Sequence, residues 1–190
     1  MNDCSFIVVR VMPRNRTIAD ELLLDHALYV IRAIGPDGLT FARIAQRSGL
    51  AASTIVQRFG TKPGLLHSAL VRAWDHLDLA TAESIEAAEP GAAGVVDMLV
   101  RLSGQYEAQD YADQLRVLRE DLRDPVLVRR GQRWLATLAD AIEERVDSPD
   151  GALVLAAWQG TLSVWSFTRE EPVELMVRRN LEALLAMERS

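Results

Sequence analysis

Residues 39–66 read LTFARIAQRSGLAASTIVQRFGTKPGLL, from Leu39 to Leu66, and this stretch decides the fold. Thr40 is an N-cap residue, and Leu39 is placed to staple against Ile44 four positions into the helix it opens. Ser48-Gly49 stops that helix, because glycine takes the left-handed conformation that a C-cap needs. A second short helix spans 52–59, with Ile55 and Phe59 on one face, and Gly60-Thr61 breaks and restarts the chain. Ile44, Ala45, Leu50, Ile55 and Phe59 form an inward apolar set. Ala52, Ser53, Thr54, Val56, Gln57 and Arg58 are left to face outward. Positions 40–62 hold Arg43, Arg47, Arg58 and Lys62 and no acidic residue, and Lys62 is the only lysine of the chain. Two short helices joined by a glycine turn in a basic window are a helix-turn-helix signature, whose second helix enters a major groove.

Working outward, the periodicity stays helical. Ile18, Leu22, Leu23, Ala27, Val30, Ile31 and Ile34 predict a first helix, with Thr17 and Asp20 as a capping pair and Gly35-Pro36-Asp37-Gly38 as its end. Beyond Thr61 a long amphipathic pattern through Leu65, Leu70 and Leu77 fades before Glu89-Pro90-Gly91. Further helices follow around Val95 to Leu102 and Tyr111 to Leu122. Asp124-Pro125 and Ser148-Pro149 each combine an N-cap with a first-turn proline, and Pro172 opens the last helix. No strand alternation occurs beyond the leader. The expected fold is all-α: an N-terminal three-helix helix-turn-helix domain and a larger helical domain. The expected boundaries are a basic leader over 1–16, a DNA-binding domain over 17–62 and a regulatory and dimerisation domain over 63–190.

The chain has 190 residues, 49% of them hydrophobic, and a net charge of −6, enough length for a core without staples. An acidic total argues against nucleic acid. Divided at residue 75, however, the charge is +3 before (nine basic, six acidic) and −9 after (twelve basic, twenty-one acidic). The acid lies away from the basic window. A single cysteine, Cys4, excludes an internal disulfide framework and a multi-cysteine zinc site. The apolar run 152–167 is short for a membrane span, and the leader, broken by Arg10 and Pro13, is no export signal. A cytoplasmic protein with no membrane partner is expected.

The 39–66 stretch resembles the N-terminal DNA-binding region of the TetR family of bacterial transcriptional regulators. Thr40, the Ile44-Ala45 pair, Gly49, Phe59, Lys62 and the leucine after it carry the resemblance. It implies that Thr40 and Lys62 hold backbone phosphates and that Arg43 reaches a base or a phosphate. It also implies that Ser53, Thr54, Gln57 and Arg58 meet the groove of a double-stranded DNA operator, and the outward-facing Ala52 and Val56 complete the expected DNA-binding set. Two positions depart from the family pattern. Ala51 stands where Ser or Thr usually caps the second helix, at a cost of roughly 1 kcal/mol. Val56 stands where a tyrosine usually meets a phosphate, and Arg58 is the expected replacement for that contact.

For the rest of the chain the resemblance implies a helical domain that binds a small-molecule effector and forms a homodimer, the natural reader of a two-fold operator. Ala152, Ala156 and Gly160 make a small-residue row at four-residue spacing, and Met176, Leu181, Leu184 and Leu185 supply apolar area for that interface. The same rows also suit packing within one chain. Met98, Tyr106, Trp134 and Trp158 are candidate pocket residues, and equally suited to plain core.

No catalytic constellation, metal site or cofactor motif is legible. His67 and His76 are nine apart, unlike a helical metal pair, and no phosphate-binding glycine loop or nucleophile elbow occurs. A non-enzymatic, ligand-responsive repressor is the leading expectation. Two alternatives stay open: a relative that keeps the fold without operator binding and acts as a small-molecule module, or a helical protein-interaction module.

Overall fold

The computed structural model of the protein describes residues 18–104, 116–146 and 150–187. Eight helices can be bounded among them: α1 (Asp20–Ile34), α2 (Phe41–Ser48), α3 (Ala52–Phe59), α4 (Lys62–Glu86), α5 (Ala92–Ser103), α6 (Pro125–Glu143), α7 (Gly151–Thr168) and α8 (Val173–Met187). A single turn of 3-10 helix, Pro36–Gly38, joins α1 to α2, and residues 116–121 are helical ahead of α6. No strand occurs among the described residues. The fold is all-α, a helix-turn-helix head on a larger helical body.

Local chemistry accounts for the helix ends. The Thr40 hydroxyl accepts the Arg43 N–H at 3.3 Å and starts α2. Gly49 ends it in the left-handed conformation, at φ 74°. Thr61 accepts from Gly64 N at 3.2 Å to open α4, with Pro63 in the first turn. Asp124 accepts from Val126 N at 2.8 Å ahead of Pro125, as its sequence signal predicts. Two starts differ from expectation. The residue before α1 is Ala19, which makes no side-chain cap, and Thr17 lies outside the described residues. The cap of α7 is Asp150, accepting from Ala152 N at 2.9 Å, because its carboxylate sits one residue before the helix; Ser148 and Pro149 fall outside the described residues.

Two cores organise the chain. The head core joins Leu23, Ala27, Leu28, Val30 and Ile31 of α1 to Leu39, Ile44, Ile55, Leu65 and Ala69. Full burial of each large side chain here is worth roughly 1.5–3 kcal/mol. The body core stacks Val95, Met98 and Leu99 of α5 against Leu138 and Ile142 of α6, Val154, Trp158 and Leu162 of α7, and Val177 and Leu181 of α8. Helix α4 belongs to both. Its first turns place Leu65, Leu66, Ala69 and Ala73 in the head, and further along Trp74, Leu77 and Ile85 pack on the body. It begins at Lys62 and runs unbroken to Glu86.

The junction has a second strut. Val117 packs on the head core. A few residues on, the Trp74 indole N–H donates to Asp121 at 3.3 Å, and His67 Nδ1 pairs with the Asp124 carboxylate. Burial pushes the Asp121 carboxyl up to about 6, against the Trp74 hydrogen bond, which lowers it, and with help from neighbouring Asp124. Asp124 is held below the ordinary range by the Val126 N–H and then by His67.

Candidate nucleic-acid interface

Helices α2 and α3 meet at the Gly49 turn because Ile44 and Ile55, both fully buried, fix the inner side of the corner. Ala45, Leu50 and Phe59 pack half-buried around them, so all five residues of the inward set lie where the periodicity puts them. Gly64 permits the next corner, since a Cβ there would stand 2.5 Å from the Phe59 carbonyl. The solvent side of α3 then carries Ser53, Val56 and Gln57, all exposed, with Ala52 and Thr54 half-buried at its edges. Ala51 precedes α3 with no side-chain cap.

Arg43, Lys62 and Arg47 are each held by a contact that sequence spacing does not reveal. Arg43 Nη1 donates to the Gly38 carbonyl at 2.7 Å, and Lys62 Nζ donates to the Asp37 carbonyl at 2.7 Å. Their charged ends therefore converge on adjacent peptide groups, two residues before the Thr40 cap, and both stay exposed. Each keeps further N–H donors for an anion. Arg47 stacks over the Tyr29 ring, 3.6 Å from its centroid, which ties α2 to α1.

Arg58 is where the structure departs most from expectation. Its guanidinium does not project with Ser53 and Gln57. Nη1 donates to the Ile18 carbonyl and to Asp20 Oδ1, the latter at 2.8 Å, and the side chain is only a quarter exposed. The reason is position: near the C-terminal end of α3 a long side chain reaches the start of α1, where a free carbonyl and a carboxylate wait. Asp20 lies 38 residues away, and no local pattern marks it as the partner.

In the body the expected pocket residues separate. Met98 and Trp158 are completely buried core, and the Trp158 indole N–H is satisfied by Ser103 Oγ at 2.8 Å. Tyr106 lies outside the described residues. Trp134 is buried, donates to Thr81 Oγ1 at 2.8 Å, and joins a ring series with Trp74 and Trp158 at centroid distances of 6.1 and 6.2 Å. Of the four, Trp134 lines a groove of about 750 Å³ between α4 and α6, beside Thr81, Ile85, Arg130, Arg133 and Thr137.

The expected interface residues separate too. Leu181 and Leu185 are buried in the body's own core, which takes them off the surface, and Met176 and Leu184 pack half-buried against it. By contrast Ala152, Ala156 and Gly160 are exposed, and a Cβ on Gly160 would meet nothing within 4 Å. Leu153, Val164 and Phe167 extend this apolar face of α7, Phe167 being 88% exposed. The four-residue spacing from Ala152 to Val164 was readable in the sequence; exposure of the row was not.

Among the described residues no helix is long and apolar enough to cross a membrane, and no group of three or more His, Cys, Asp or Glu could hold a metal ion.

Comparison with known proteins agrees with this geometry. Residues 23–69 match the family model for bacterial regulatory proteins of the tetR family. No curated protein matches the chain. Solved structures do. A transcriptional regulator from Rhodococcus sp. Rha1 superposes with a TM-score of 0.72 at 18% identity, covering 90% of this chain and 96% of that one. A TetR-family transcriptional regulator from Streptomyces coelicolor gives 0.69 at 16% identity, covering 88% and 94%. The transcriptional regulator FadR from Bacillus subtilis, solved in complex with stearoyl-CoA, gives 0.64 at 18%, covering 86% and 96%. The helix-turn-helix head of this chain is thus that of the tetR family of bacterial regulatory proteins, carried on the fold of that family's solved regulators.

Proposed function

We propose that this protein is a transcriptional repressor that binds a palindromic operator as a homodimer and releases it when a small molecule occupies the body. The observation that carries the reading is the outward face of α3, where Ser53, Val56 and Gln57 stand exposed with no acidic residue, beside an anchored inner face and within the segment matching the family model. Thr40, Arg43 and Lys62 are the proposed phosphate contacts, since their polar ends gather at the start of α2. The two-fold arrangement is supported by the exposed apolar face of α7, from Ala152 through Phe167. Close approach of small residues favours a helix-on-helix seam there.

For the effector, support comes from the groove lined by Trp134, Ile85 and Arg133, and from the neighbour solved with stearoyl-CoA. The fixed cation contacts at the head and the strut through Asp121 and Asp124 give the body a route to move α4 and, with it, the reading helix. Footprinting on the DNA upstream of the protein's own gene tests operator binding and symmetry together. Two protected half-sites about 34–36 Å apart, or a multiple of that, are expected. Salt-insensitive or absent binding would place the protein with relatives that keep the fold without an operator.

A further inference from the structure

The side chains that α3 offers to a groove contain no charge. Its only ionic residue, Arg58, is turned back onto the Ile18 carbonyl and Asp20. The other cations of the 40–62 window are also engaged: Arg43 on Gly38, Arg47 on the Tyr29 ring, and Lys62, at the start of α4, on Asp37. What remains exposed on α3 is a hydroxyl at Ser53, an isopropyl group at Val56 and a carboxamide at Gln57. Ser53 lies three and four residues before the other two, so all three share one helix face.

Val56 is the telling member, because it stands where the family's tyrosine usually meets a phosphate and its own side chain cannot make that contact. It is 40% exposed, whereas its neighbour Ile55 is fully buried, so the fold does not need its side chain. An isopropyl group can neither donate nor accept a hydrogen bond. In a major groove the one apolar feature of the four bases is the thymine 5-methyl group, and a carboxamide matches the donor–acceptor pair of adenine N6 and N7. Guanine O6 and N7 present two acceptors and call for an arginine, which α3 does not present.

We infer that α3 reads its half-site as an A·T-containing step, with Val56 against a thymine methyl, Gln57 on a neighbouring adenine, and no guanine read by arginine from this helix. The inference rests on the operator-binding reading and goes further by naming the base chemistry. Arg58 is a positioning residue in this scheme: it fixes the angle of α3 against α1 and touches no base.

The test uses the full chain and a duplex selected from a random library. Each thymine of the half-site is replaced in turn by deoxyuridine, which removes the methyl group alone, and each guanine by 7-deazaguanine, which removes N7. At one position per half-site, deoxyuridine should weaken binding about fourfold, the worth of one buried methyl group. Val56→Ala should bind the thymine and uracil duplexes equally, with an unchanged thermal melt as the folding control. Tolerance of deoxyuridine at every position overturns the inference, as does a 7-deazaguanine penalty that Arg58→Ala abolishes. Both outcomes leave operator binding intact. Failure to select any duplex overturns the operator-binding reading itself.

Discussion

Arg58 Nη1 lies 2.8 Å from Asp20 Oδ1, and this pair ties the end of α3 to the beginning of α1. Asp20 is 57% exposed, so the ion pair alone is worth under about 1 kcal/mol and weakens with salt. The bond to the Ile18 carbonyl adds a fixed direction. Arg58→Ala should lower binding to all operator sequences by one factor, and Asp20→Asn, which leaves the Ile18 bond in place, by a smaller one. A double-mutant cycle should show a coupling between them that shrinks as salt is raised. Relaxed preference at one base position in Arg58→Ala would instead mark a base reader.

Lys62 has a different expected signature. Its ammonium is exposed on the Asp37 carbonyl and keeps donors to spare. Lys62→Ala should weaken binding to every sequence and reduce the slope of log K against log salt by about one. A salt titration of the shift assay reads this directly, and an unchanged slope would remove Lys62 from the phosphate contacts.

Helix α3 starts without a side-chain cap, at an Ala51 whose backbone is already extended, with φ −70° and ψ 141°. Serine fits that conformation and supplies the missing acceptor. Ala51→Ser should raise stability by about 0.5–1 kcal/mol in chemical denaturation. No gain would mean that water already serves the free N–H groups.

Asp121 predicts a pH dependence of definite sign. Its carboxyl is raised to about 6 in the fold, chiefly by burial, from an ordinary value of 3.8. Between about pH 4 and 6 the folded chain holds a proton that the unfolded chain has released, so this residue's contribution falls as pH rises across that window. The full shift corresponds to about 3 kcal/mol, and solvent reach at a part-buried carboxyl reduces that to roughly 1–2. Asp121→Asn keeps the acceptor for the Trp74 N–H and should remove the slope, gaining stability at pH 7. An identical pH profile for variant and wild type would refute the assignment.

On α7, Gly160→Arg offers a clean test of the dimer. A side chain at this position enters open space in the single chain, so folding should be unaffected. If the exposed apolar face is the seam, a buried arginine there should convert a dimer to a monomer at micromolar concentration, seen by sedimentation. A dimeric variant would move the interface elsewhere.

How far the sequence could be read depended on distance along the chain. The α2 and α3 boundaries, the Thr40 cap, the Gly49 turn and the Asp124-Pro125 start follow from neighbours within four residues, and the structure contains each one. Contacts across 25 to 57 residues were invisible: Lys62 with Asp37, Arg58 with Asp20, His67 with Asp124. Periodicity marks which residues are apolar but not which core they enter. For that reason Leu181 and Ala156 read alike as interface candidates, and only packing separated the buried one from the exposed one.

By itself, then, the sequence determined an all-α chain with a basic helix-turn-helix head and an acidic body, because helix periodicity, caps and charge are local quantities. Tertiary structure decided which side chains of that head are free to meet a ligand. Arg58 has the charge and the reach for DNA, yet the Ile18 carbonyl just before α1 and the Asp20 carboxylate at its first residue hold it. Val56 has neither, and is left exposed because the core fills without it. A side chain's availability is set by what the rest of the chain brings within hydrogen-bonding distance of it.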